Sequence, residues 1–327
     1  MKAPFNKTLP TLLLALSLHN HLLRYTLTPP GDSPCARVGH SCSYLPPVGD
    51  AKRGKVVIVG GANPNRSFSD VYTMNLGTHQ WDLATYGGLL PRYEHASFIP
   101  SCTPGSIWVF GGADQSGNRN CLQVLNLETR IWRTPEVTGP PPSPRTFHTS
   151  SAAIGNQLYV FGGGERGAQP VQDVKLHVFD ASDMKWQKLS PTGVAPAGCA
   201  AHSAVTLGKH IYVFGGMTPT GALDTMYQYH IEKQLWSLLK FDTLLPPGRL
   251  DHSMCIIPWP VTSTSEKEDS NSVTLNCETE KGDSTDRMAP CGSTSEESQS
   301  DIMLCFVFGG MNTEGEIYND CIVTVID

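Results

Sequence analysis

A double glycine closing an apolar, strand-like run recurs five times in these 327 residues, and no other feature constrains the fold as much. The pairs are Gly60 and Gly61, Gly111 and Gly112, Gly162 and Gly163, Gly215 and Gly216, and Gly309 and Gly310. The first four lie 51, 51 and 53 residues apart, and the fifth follows after 94. A period near 50 residues belongs to arrays in which each unit leaves a face bare until its neighbour covers it. Other residues keep step. A histidine opens the strand before each pair: His40, His95, His148, His202 and His252. An Asp or Asn opens the strand after it: Asp70, Asn120, Asp173, Asp224 and Asp320. A tryptophan follows in four of the five: Trp81, Trp132, Trp186 and Trp236.

Each unit therefore reads as four short strands. Strand a starts at the histidine, b ends at the double glycine, c follows the Asp or Asn, and d carries the tryptophan. A sheet of that size cannot bury both faces alone, but sheets arranged around an axis can. The expected fold is all-β, a propeller of about five four-stranded blades, with the tryptophans packed between blades at about 3–5 kcal/mol each.

The double glycine, acid and tryptophan at this period resemble the kelch repeat, over residues 24–258 and 302–327. Kelch rings usually have six or seven blades, so five double glycines imply a ring one repeat short, strained or incompletely closed. The junction VFDASDMKWQKL after the third repeat would stay in phase if a whole repeat were skipped. Stretches such as VGGANPNRSFSDV, RYEHASFIPS, GRLDHSMCIIPWP and FGGMNTEGEIY are similar to a trafficking branch of that family. The resemblance implies a non-enzymatic interaction scaffold that is cytoplasmic and peripheral on endosomes. Its partner would be the GTP form of a late-endosomal Rab GTPase, in transport from endosomes to the trans-Golgi network. A kelch substrate adaptor for a ubiquitin ligase and a secreted kelch protein are the alternatives.

Three segments depart from the repeat. Trp132, Trp186 and Trp236 stand 16 residues before the next histidine, and the same step back from His40 reaches Arg24. Residues 24–27 are therefore expected to supply strand d of the last blade, closing two sheet edges at once. Residues 1–23 form a divergent N-terminal segment. It holds Lys2, Lys7 and an apolar run from Leu9 to Leu18 that is too short to span a bilayer. Asn6 and Asn65 are possible glycan acceptors, secretion would require cleavage near Ser17 and a glycan on Asn65, and a divergent segment without a targeting role is the preferred expectation. Residues 259–301 form an acidic, Ser/Thr-rich insert between strands a and b of the last blade. In 262–301, 15 of 40 residues are Ser or Thr, and the net charge is −7, more than the whole chain's −6. Such a segment is expected to be disordered and open to phosphorylation.

With the acidity confined to the insert, the folded body is near neutral, and nucleic acid is not an expected partner. None of the ten cysteines forms a C-x-x-C pair, which favours a reducing compartment. No nucleophile-elbow, zincin or P-loop pattern is present, and the five histidines occupy repeat slots, so catalytic groups, metal and cofactor are all expected to be absent. Arginine supplies the candidate contacts instead. Arg37, Arg92, Arg145 and Arg249 sit three residues before a histidine, and Arg66, Arg119 and Arg166 lie in successive b–c loops. Alternating strand direction brings both sets to one rim of the disc, where seven guanidiniums would face an acidic partner.

Overall fold

The computed structural model describes residues 30–47, 50, 52–84, 88–149, 152–166, 169–241, 246–259 and 302–326. The expected closing strand at 24–27, the N-terminal apolar run and the acidic insert lie outside the described residues, as does the Arg24 slot.

Five sheets follow one another along the chain, with strands a, b, c and, in blades one to four, d hydrogen-bonded antiparallel in that order, and blade four carries a short parallel strand, Thr192–Gly193, beside its strand d. Blade one comprises Ser41–Leu45, Lys55–Val59, Val71–Asn75 and Gln80–Ala84. Blade two comprises Ala96–Phe98, Ser106–Phe110, Leu122–Asn126 and Ile131–Arg133. Blade three comprises Ala153–Ile154, Gln157–Val160, Leu176–Asp180 and Lys185–Leu189. Blade four comprises Ser203–Leu207, His210–Phe214, Met226–His230 and Leu235–Leu238. Blade five has three strands among the described residues, Ser253–Trp259, Ile302–Phe308 and Cys321–Ile326. Small two-stranded hairpins fill the b–c connections of blades one to four. The result is a five-bladed propeller whose ring is not closed.

The core lies between blades. Phe98, Trp108 and Phe110 of blade two meet Leu158, Val160, Phe179 and Trp186 of blade three in one buried cluster. Tyr159, Phe161, Leu176 and Val178 of blade three meet Tyr229 and Trp236 of blade four in another. The tryptophans of blades two to four pack on the residue just before the preceding blade's double glycine. Trp186 lies 4.7 Å from the Phe110 ring and Trp236 lies 5.4 Å from the Phe161 ring, centre to centre. Period-two alternation presents one face of each sheet to each neighbour, so the strands are apolar on both sides.

Glycine is required at the end of strand b by a backbone approach. The Gly61 amide donates to the carbonyl of Arg92 in the next blade at 2.8 Å, and Gly163 and Gly216 donate likewise to Cys199 and Arg249. A Cβ on Gly60 would stand 2.6 Å from that Arg92 oxygen, and Gly60 itself has φ 60°. A second tie follows strand d. The chain leaving blade two crosses to blade three, where Thr138 accepts from the Trp186 amide at 2.8 Å. Pro30 accepts from Trp81 in the same way at 2.9 Å. Residues 30 and 31 thus occupy the position that follows a strand d.

Candidate interaction face and axial cavity

The seven arginines of the sequence pattern do not share one surface. Arg92, Arg145 and Arg249 are fully buried, and the Arg37 side chain is 3% exposed. Each Nη1 donates to the first glycine carbonyl of its own blade: Arg37 to Gly60 at 2.8 Å, Arg92 to Gly111 at 3.1 Å, Arg145 to Gly162 at 3.0 Å and Arg249 to Gly309 at 2.9 Å. The positive-φ turn at the double glycine carries that carbonyl out of the sheet ladder, and a buried carbonyl needs a donor. The strand-c acid then balances the charge. Asp320 takes both Arg249 nitrogens at 2.7 and 3.0 Å, Asp70 lies 2.5 Å from Arg37, and Asp173 lies 3.6 Å from Arg145. In blade two the neutral Gln123 Oε1 accepts from Arg92 Nη2 at 2.6 Å instead, a hydrogen bond without a compensating charge. The expectation that these four arginines face a partner is corrected: they are blade ties, with their donors spent inside the fold. Blade four has Cys199 in that slot, buried beside His202 Nδ1 at 3.5 Å.

The b–c arginines sit in or beside the hairpins that follow the double glycines. Arg66 is exposed, in the hairpin of Ala62–Asn63 with Arg66–Ser67, 5.0 Å above the Phe68 ring. Arg119 is bound by the Asp114 carboxylate of its own hairpin, so its charge is already answered. Arg166 belongs to the hairpin of Gly164–Arg166 with Gln169–Pro170, where it pairs with Gln169.

Sequence reasoning missed the residues that line the axis. The position just before each histidine has φ between 52° and 64° in all five repeats and holds Gly39, Glu94, Phe147, Ala201 and Asp251. Glu94 donates its amide to Gly39 O, Ala201 to Phe147 O and Asp251 to Ala201 O, a partial ring of backbone bonds around an axial cavity of about 590 Å³. Burial, helped by the Asp251 charge, raises the Glu94 carboxyl to about 7, and burial also raises Asp251. Neither carboxylate has an ion-pair partner among the described residues. The signal that could have found them is the slot before a periodic histidine, where a non-glycine residue must accept a left-handed backbone.

The histidines also line the cavity, with burial as the first cause of their shifts. His95 and His202 are pushed down to about 3, and His148 and His252 to about 4. His148, His202 and His252 pack 5.1–5.8 Å from Phe110, Phe161 and Phe214 of the preceding blades. They are neutral packing groups near pH 7. Among the described residues no three His, Cys, Asp or Glu side chains converge as metal ligands. The eight described cysteines are all free thiols, and no described helix is long and apolar enough to cross a membrane.

Glu94 sets a pH dependence of known sign. The folded state keeps a proton that the unfolded chain releases near 4.5, so stability falls as pH rises from about 4.5 to about 7. Glu94→Gln is expected to exceed wild type by about 2 kcal/mol at pH 8 and to match it at pH 4.5. Urea titrations at the two values measure this, and an equal difference at both would remove the buried proton from the account.

Antiparallel sheets around an axis, joined by double glycines that touch the next blade and held by an arginine clamp in four of the five, define a kelch-type propeller. The chain belongs to the kelch-repeat family: the KLHDC2/KLHL20/DRC7 Kelch-repeats domain matches residues 50–261. It is similar along nearly its whole length to proteins named Rab9 effector protein with kelch motifs. Identity is 72% to the human protein and 65% to the rat protein, each over 93% of this chain and 95% of the relative. Identity to the Xenopus laevis protein is 43%, over 92% and 95%. The human and rat alignments run over 354 positions, whereas 93% of this chain is about 304 residues. About 50 positions of the relatives thus have no counterpart here, the length of one repeat.

Proposed function

We infer that this chain is a non-enzymatic scaffold acting as an effector of a Rab9-type GTPase, engaging its GTP form. The observation that carries this is the full-length similarity to proteins bearing that name. The architecture supports it: the propeller offers hairpin loops for docking, and Arg37, Arg145 and Arg249 are already paired inside the fold. Work in transport from endosomes to the trans-Golgi network, from a peripheral position on endosomes, follows from the same kinship.

The b–c hairpins of blades one to three are the proposed contact, with Arg66 and Arg166 as its cations. Arg119, held by Asp114, contributes shape more than charge. Calorimetry with Rab9 loaded with a GTP analogue or GDP tests the reading, and equal affinity for both forms would end it. Arg66→Ala with Arg166→Ala is expected to weaken binding of the GTP form by about 10-fold, or about 1.4 kcal/mol, with an unchanged melting temperature. Full affinity in that folded variant would move the contact to another face.

A further inference from the structure

The two ends of the open ring carry complementary halves of the interface that joins neighbouring blades. Inside the chain, the contacts of blades two with three and three with four are made by a strand-d tryptophan resting on the aromatic residue before the previous blade's double glycine, and Trp132 packs on Val59 in the corresponding place. Trp186 with Phe110 and Trp236 with Phe161 are the worked cases. Two residues of this set lack their mates. Trp81, on blade one, has no preceding blade against it among the described residues and is only half-buried, whereas Trp186 and Trp236 are 1% and 2% exposed. Phe308, just before Gly309 of blade five, has no following blade and is 41% exposed.

The surroundings of both residues match. In blade one, Tyr44, Val56, Met74 and Trp81 form one cross-strand row, and Cys42, Ile58, Tyr72 and Leu83 form the next. These rows lie opposite Val57, Val59 and Val71, which are buried against blade two. In blade five, Phe308 pairs with Cys321, Phe306 with Val323 and Leu304 with Val325. Those rows lie opposite Cys305, Val307 and Ile326, which are buried against blade four. Both faces are apolar across the sheet, and Val323 and Val325 are 52% and 56% exposed. The outer edge of Cys321–Ile326 has no strand beside it among the described residues. Contiguous apolar surface with a bare strand edge is a site for another chain.

We propose that the occupant is a second copy of this protein, the blade-one face of one molecule docking on the blade-five face of another. The contact continues the interface that already repeats inside the chain, with Trp81 of one copy meeting Phe308 of the other. Within one molecule, no backbone bond joins blades one and five among the described residues, whereas such bonds tie the neighbouring blades inside the chain. The relatives are longer by one repeat length, so closure of this ring on itself would have to proceed with one blade fewer. The contact is heterologous, so each copy keeps one free end of each kind and assembly continues past the dimer.

That asymmetry gives a sharp test. Tyr44→Lys with Leu83→Lys spoils the blade-one end, and Val323→Lys with Val325→Lys spoils the blade-five end. All four residues are exposed, so the fold should persist, and a cooperative melt checks it. By analytical ultracentrifugation of the full chain at tens of micromolar, wild type is expected to run as a mixture of dimers and larger species. Each variant alone is expected to be monomeric. An equimolar mixture of the two is expected to give a one-to-one dimer that grows no further, because only one matched pair of ends remains. A monomeric wild type would overturn the proposal, meaning that the ends close on each other or are covered by residues 1–29. Association of either variant alone, or none in the mixture, would overturn it equally.

Discussion

Acidification from pH 7 to pH 4.5 is expected to destabilise this protein strongly, with the loss steepening below pH 6 and continuing to pH 4.5. His95, His148, His202 and His252 are buried and bind a proton in the folded state only near 3 to 4. The unfolded chain binds it near 6.5, so below that value the unfolded state holds more protons and stability falls as pH falls. An imidazole ring that binds its proton near 4 in the folded state and near 6.5 in the unfolded chain would give up about 3 kcal/mol by pH 4. Even half of that, from four groups, reaches the whole stability of an ordinary domain, about 5–15 kcal/mol. Glu94 works the other way, gaining about 2 kcal/mol between pH 7 and 4.5, and one carboxyl does not offset four imidazoles. Thermal melts followed by circular dichroism at pH 7.5, 6, 5 and 4.5 measure the slope. His95→Gln with His202→Gln should flatten it, whatever that change does to stability at pH 7.5. A melting temperature constant from pH 7 to 5 would show that these rings are hydrated in the folded state.

The second large effect separates tryptophans that the repeat makes look equivalent. Trp186→Ala is expected to cost about 4 kcal/mol, because it empties a site packed by Phe98, Trp108, Phe110 and Phe179. Trp81→Ala is expected to cost about 1 kcal/mol in the dilute monomer, since no blade covers its outer side. Guanidinium titrations at low protein concentration measure both. Equal costs would mean that Trp81 is already covered, which would also count against exposed ends.

The period of the double glycines, with strand lengths between them, was enough to place five blades, order their strands and assign the tryptophans to the interfaces. Those features are local: a strand ends where a positive-φ glycine must sit, and alternation chooses its faces within a few residues. The arginines show the limit. Their spacing revealed a slot, but whether Arg145 points outward or back to the Gly162 carbonyl depends on how the double-glycine turn exposes that oxygen. Arg119 looked free because Asp114, five residues earlier, gave no hint that the hairpin would fold the two together.

Glu94 and Asp251 were hidden for a related reason. They stand 157 positions apart in sequence, in blades two and five, and only the ring brings both to one axial cavity. Closure is the extreme case. Every inter-blade contact is set by residues about 50 positions apart, but whether the last face meets the first depends on the sum of all the inter-blade rotations. The sequence by itself determined the blade, its clamp and the chemistry of its interfaces, because each repeats a local pattern. Only the tertiary structure decided which copies of that pattern are buried, and that Trp81 and Phe308 are left without mates, because a ring closes through accumulated geometry that no single repeat contains.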